Sequence, residues 1–228
     1  MIKAKWLYSK LPLSLRQLSK LMKEEQYSDA SGCGFLLSTS TDSKLVGKYI
    51  EKMTLKTVVE DPFGNISEVE TVSYYTCHFN WSSESNYMFV LEPPRSLRKF
   101  INRIHNLTGF GIVFSEVNVS PQLWLELIER EADLVRVFQI SASGIKAASD
   151  ASASFVVTGK SDVKKAFFDL IGDKRYLVDS VKFEAYFDEI TIKGELTKFG
   201  VSRVKSTNST FVLEKLRESL AQSSTQNK

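Results

Sequence analysis

Two cysteines in 228 residues are too few for a disulfide framework, so the core must be built from ordinary side-chain packing. A reducing compartment, and hence a cytoplasmic location, is the expectation. Histidine is equally scarce, with only His78 and His105 to serve as imidazole ligands or bases. No C-x-x-C pair accompanies them. Cys77 and His78 are neighbours in an expected strand and should point to opposite faces, which argues against a tetrahedral zinc site. No G-x-S-x-G elbow, phosphate-binding loop or dinucleotide fingerprint is present. Gly32-Cys33-Gly34 and Gly109-Phe110-Gly111 are G-x-G only, and Gly109 ends a helix instead of opening one. No cofactor is therefore expected.

Long apolar runs are missing as well. Nothing approaches the roughly 18–20 apolar residues of a membrane helix, and Lys10, Arg16 and Lys20 interrupt the start of the chain, so neither a membrane span nor a signal peptide is expected. Charge of one sign is also lacking. Thirty basic residues stand against 27 acidic ones, a net +3, which allows an anionic partner without requiring one.

What is present is an average globular composition, 43% hydrophobic and 25% charged, enough for a real core. The pattern predicts an α+β fold: an N-terminal helix, an antiparallel β-meander, then an alternating helix/strand region with a C-terminal helix. Leu11, Leu15, Leu18 and Met22 recur at helical spacing, and Ser14 with Gln17 forms a capping box. Val46–Glu60 and Ile66–Trp81 alternate with period two around the turn Asp61-Pro62-Phe63-Gly64-Asn65, and so read as a long hairpin. Centring that turn near Phe63 places Lys56 opposite Glu70 and Val58 opposite Glu68. Tyr87–Leu91 is a third strand. Pro93-Pro94 marks the expected boundary between residues 1–93 and 94–220, whether as two regions or as one continuous domain. Ser141–Ser154, rich in Ala, Ser and Gly, reads as a loop, Ser161 as a helix cap, and residues 221–228 as a disordered tail.

Basic residues carry the main functional expectation. Lys44, Lys48, Lys52 and Lys56 repeat every fourth position and share one face of the hairpin, where they could track phosphates. The alternative is a solvated lysine face that keeps the sheet soluble. Tyr74 falls on the Lys52/Lys56 face and is the base-stacking candidate. Arg95, Arg98, Lys99 and Arg103 gather on the helix after Pro94, and Arg95 and Arg98 lie near its N-terminus, where the helix dipole disfavours cations. The expected function is a non-catalytic accessory subunit that binds nucleic acid, DNA or RNA, or a protein partner within a larger assembly, as a homo-oligomer or hetero-complex. The alternative is an enzyme, a hydrolase or nuclease, whose site is assembled from dispersed residues.

Overall fold

The computed structural model describes residues 1–109, 111–147 and 150–225. The chain runs β1 (Ile2–Lys10), α1 (Leu15–Glu24), β2 (Cys33–Ser40), β3 (Lys44–Glu60), β4 (Ile66–Ser82), β5 (Tyr87–Leu91), α2 (Arg98–Thr108) and β6 (Val113–Glu116). It continues α3 (Pro121–Glu129), β7 (Leu134–Lys146), β8 (Ser152–Thr158), α4 (Lys164–Ile171), β9 (Leu177–Phe187), β10 (Ile190–Thr197), β11 (Val201–Lys205) and α5 (Ser209–Thr225). These elements form two compact units, each made of separate stretches of chain. One holds Met1–Ser9, Ser85–Leu91 and everything from Phe114 onward; the other holds Lys10–Glu84 and Glu92–Val113. Pro93-Pro94 lies just past the Leu91/Glu92 crossing from one unit to the other.

In the first unit the strands run in the order β5-β1-β11-β10-β9-β7-β8, antiparallel throughout. Helices α3 and α5 pack against each other, α3 also on β9 and β10, and α5 also on β5 and β11. Two tryptophans anchor this core. Trp6 and Trp124 are fully buried and meet edge to face at 6.1 Å, a geometry that adds about 1 kcal/mol to the burial itself. Both indoles are satisfied: the Trp6 Nε1–H donates to Ser202 Oγ at 2.9 Å, and the Trp124 Nε1–H to Leu216 O and Ser219 Oγ.

In the second unit β2, β3 and β4 form an antiparallel sheet, with α2 laying Phe100 across Tyr49, Phe79 and Trp81. Helix α1 packs against β2, β3 and α2. Its capping box forms as expected, with Ser14 Oγ accepting from Gln17 N and Gln17 Oε1 accepting from Ser14 N.

Four expectations are corrected. The chain opens with a strand, not a helix: Ile2, Ala4 and Trp6 alternate with Lys3 and Lys5, and then Leu7 and Ser9, buried on the other face, break the period. Residues 141–146 and 152–154 are not a loop but belong to the β7–β8 hairpin; Ala148 and Ser149 lie outside the described residues. A bulge at Ala142–Ile145, with Gly144 at φ 70°, shifts the side-chain parity and hides the strand from a period-two reading. Residues 221–225 continue α5, in which Ser223 is buried, while Gln226–Lys228 lie outside the described residues. At α4 it is Asp162, not Ser161, whose side chain accepts from the helix start, at Lys164 N.

Backbone contact explains one glycine in the second unit. A Cβ on Gly34 would come within 2.5–2.7 Å of Tyr27 N, Glu25 O and the Gln26 carbonyl carbon, because Glu25–Tyr27 hydrogen-bonds to the outer edge of β2 at Phe35. Gly34→Ala is expected to destabilise this unit by about 1–3 kcal/mol, since only backbone displacement can relieve the overlap. Thermal and urea denaturation check this; an unchanged midpoint would contradict it.

Candidate functional site

Strands β3 and β4 are 17 residues each, about three times the usual strand length, and pair without a register break from Lys44↔Ser82 to Glu60↔Ile66. The turn is held by Asp61. Its carboxylate accepts from Phe63 N, Asn65 N and Asn65 Nδ2, and these bonds, the Asn65 side chain foremost, hold it below the usual carboxylate range. Gly64 supplies the positive φ.

Strand β2 accompanies β3 only as far as Cys33↔Glu51. Beyond that point, Lys52–Glu60 and Ile66–Tyr74 form a two-stranded ribbon, about 30 Å long at ~3.3 Å per residue. Its two faces differ in chemistry. The odd-numbered face carries Met53, Leu55, Thr57 and Val59 opposite Ser73, Thr71, Val69 and Ser67, with no charge at all. The even-numbered face carries Lys52, Lys56, Glu60, Glu68 and Glu70 among Thr54, Val58, Ile66, Val72 and Tyr74.

The odd face is a continuation of the unit's own core surface. At the base it presents Tyr49, Cys77, Phe79 and Trp81, all buried under the helices. Cover ends at Lys99 of α2, whose ammonium pairs with Glu51 at 2.6 Å, touches Met53 Sδ and lies 5.8 Å from the Tyr75 ring. The Tyr75 hydroxyl donates to Ser96 O at the same level. Past it Leu55 is 63% exposed, Val69 47% and the tip residue Phe63 89%. Period-two alternation alone makes Leu55, Val59 and Val69 look like core residues; the structure leaves them uncovered.

The expected binding residues separate into distinct places. Lys48, Lys52, Lys56 and Tyr74 do share the even face: Lys52 stands opposite Tyr74 and Lys48 opposite His78. Lys56 stands opposite Glu70 as expected, but its ion pair runs diagonally to Glu68 at 3.7 Å. Tyr74 is 54% exposed and lies near the Tyr27 hydroxyl, which donates to Asp29 Oδ1; partial desolvation, then Tyr74 and Asp29, hold Tyr27 above its ordinary pKa. Lys99 and Arg103 face the other way, onto the core side. Arg103 pairs with Glu25 at 2.6 Å and ties α2 to the end of α1. Ion pairs this exposed contribute at most about 1 kcal/mol each. Arg95 and Arg98 are exposed at the start of α2, where Leu97 is the N-cap and Ser96 Oγ accepts from Arg98 N at 3.3 Å.

Among the described residues no group of three His, Cys, Asp or Glu side chains is placed to hold a metal. Cys33 and Cys77 are free thiols. A cavity of about 190 Å³ in the first unit has an apolar floor of Leu125, Val137, Ile140 and Val181, and at its rim Glu129 and Lys164 pair with each other. No described helix is long and apolar enough to cross a membrane. The chain matches no protein-family model and has no significant similarity to any curated protein.

Burial pushes the Cys77 thiol up to about 12. At pH 8 its thiolate fraction is about one in ten thousand. Alkylation of the native protein with iodoacetamide should therefore leave Cys77 unmodified, and denaturant should expose it. Intact-mass and peptide mapping check this; double labelling of the folded chain would contradict it.

Proposed function

We propose that this chain is a non-catalytic accessory subunit that docks on a protein partner through the uncharged face of the β3–β4 ribbon. The partner surface is an apolar strip flanked by basic groups. The observation that carries this reading is the face Met53–Val59/Ser67–Ser73, which extends the core surface of the second unit beyond its helical cover without a single charge. A lone two-stranded ribbon is marginally stable in water, so covering this face on a partner stabilises the arm as well as the complex.

The charge distribution supports protein over nucleic acid as the partner. From Lys52 to Tyr74 the arm carries two lysines, Lys52 and Lys56, against four carboxylates, Glu60, Asp61, Glu68 and Glu70. The carboxylates lie toward the tip, where a polyanion would be repelled and a basic rim on a protein would be attracted. Nucleic-acid binding is the second reading. It rests on Lys48, Lys52 and Tyr74, which lie together on the even face near the base of the ribbon.

Two variants separate these readings. L55D/V69D places charge on the uncharged face at exposed positions, and K48E/K52E/K56E reverses the lysine face. In extract of the native cells the chain should elute in a complex larger than its own dimer. L55D/V69D should release it, while K48E/K52E/K56E should leave the complex intact. In parallel, anisotropy with labelled duplex DNA, single-stranded DNA and RNA should show no tight, steeply salt-dependent binding. Elution of the wild type at or below dimer mass would overturn the protein-docking reading. Salt-sensitive nucleic-acid binding lost in K48E/K52E/K56E would replace it with the second.

A further inference from the structure

The sheet of the first unit ends at β8, which pairs with β7 on one side and, among the described residues, with no strand on the other. Open edges are usually blunted by lysine, proline, a bulge or a covering segment. In the second unit, the outer edge of β2 is covered at Phe35 by hydrogen bonds to Glu25 and Tyr27. Among the described residues, strand β8 has none of these devices. Its sequence, Ser152-Ala153-Ser154-Phe155-Val156-Val157-Thr158, holds no charge and no proline, and the bulge beside it lies in β7. Ala153, Phe155 and Val157 pack against the core, and Val156 on the other face is 61% exposed.

The geometry points to a homodimer in which β8 pairs antiparallel with β8 of a second copy, about a two-fold axis at Phe155. A two-fold contact requires a strand that complements its own reverse, because each residue must suit the one opposite it in both halves. Strand β8 meets that requirement. Reversal about Phe155 places Ser152 opposite Thr158, Ala153 opposite Val157 and Ser154 opposite Val156. Each pair is neutral, and apolar residues meet on the core side. The two Phe155 rings become a cross-strand aromatic pair at the rim of the core.

The flanks carry the charge complementarity. Just outside the strand, Asp150 comes opposite Lys160 of the second copy, and symmetry repeats the pair at the other end. Both residues are exposed, and among the described residues neither has an ion-pair partner within its own chain. A seven-residue ladder adds about six or eight backbone hydrogen bonds and joins the two first-unit sheets into one. A parallel pairing, or a shift of register by two residues, loses the Asp150–Lys160 match. This specificity favours a second copy over an unrelated extended peptide. The dimer is independent of the ribbon and of whatever docks there.

Sedimentation equilibrium on the full chain tests this. The wild type should approach twice its 25.8 kDa mass as concentration rises. S154K/V156K puts two lysine–lysine contacts into the ladder from exposed positions, and should give the single-chain mass with an unchanged circular dichroism spectrum. D150K should raise the dissociation constant about fivefold, and D150K/K160D should restore it. L55D/V69D should leave the dimer intact, so failure here and failure of the docking reading are distinguishable. A wild type that stays at single-chain mass at every concentration, a dimer that survives S154K/V156K, or a charge swap that fails to restore association would each overturn the proposal.

Discussion

The seat of Phe100 on Tyr49, Phe79 and Trp81 decides where the second unit stops being a domain and becomes an arm. Stacked on Phe79 at 5.4 Å and closed over by the Lys99–Glu51 pair, α2 covers the sheet as far as Tyr75 and no farther. On the covered side of that line, burial holds the Tyr49 and Tyr75 hydroxyls above their ordinary range and keeps Cys77 protonated. On the far side the same strands continue with the same parity, but nothing lies above them. Residue choice changes at the same line, from large aromatics to Thr, Val and Ser. Such residues suit strands whose faces stay exposed.

Much of the hairpin was legible in the sequence because its physics is local. The Asp61–Asn65 turn sets the register, and Lys56↔Glu70, Val58↔Glu68 and Lys52↔Tyr74 then follow from the two-residue period. Helix α1 was legible for a similar reason, since Ser14 and Gln17 satisfy each other's backbone amides within four residues. Exposure was not legible. Whether Leu55 is core or surface depends on how far α2 reaches over the sheet, and nothing in the local pattern around Leu55 records that.

The other failures share a cause in non-local structure. Strand β1 takes its partners, β5 and β11 among them, from distant sequence, and buried residues on both its faces blur the alternation. The bulge in β7 breaks parity in a segment whose small residues already resemble a loop. Among the basic residues, Lys99 and Arg103 looked like a ligand-facing cluster by composition, yet their partners Glu51 and Glu25 lie on other elements and become visible only when the helices pack. The even-face lysines and Tyr74 did come together, because their grouping needs only the hairpin register. Their approach to a polyanion is opposed by Glu60, Asp61, Glu68 and Glu70 farther out on the arm, a consequence of geometry that net charge conceals.

The claim on which this account turns is that the ribbon beyond Met53 and Tyr75 is uncovered in the isolated chain while the same two strands are core at their base. Hydrogen–deuterium exchange resolved along the hairpin measures this directly. The account predicts slow exchange over residues 45–50 and 76–81, and exchange faster by orders of magnitude over residues 54–60 and 66–74. Equal protection along the full length of β3 and β4 in the monomeric chain would contradict it, because the far half would then have to be covered by the protein itself.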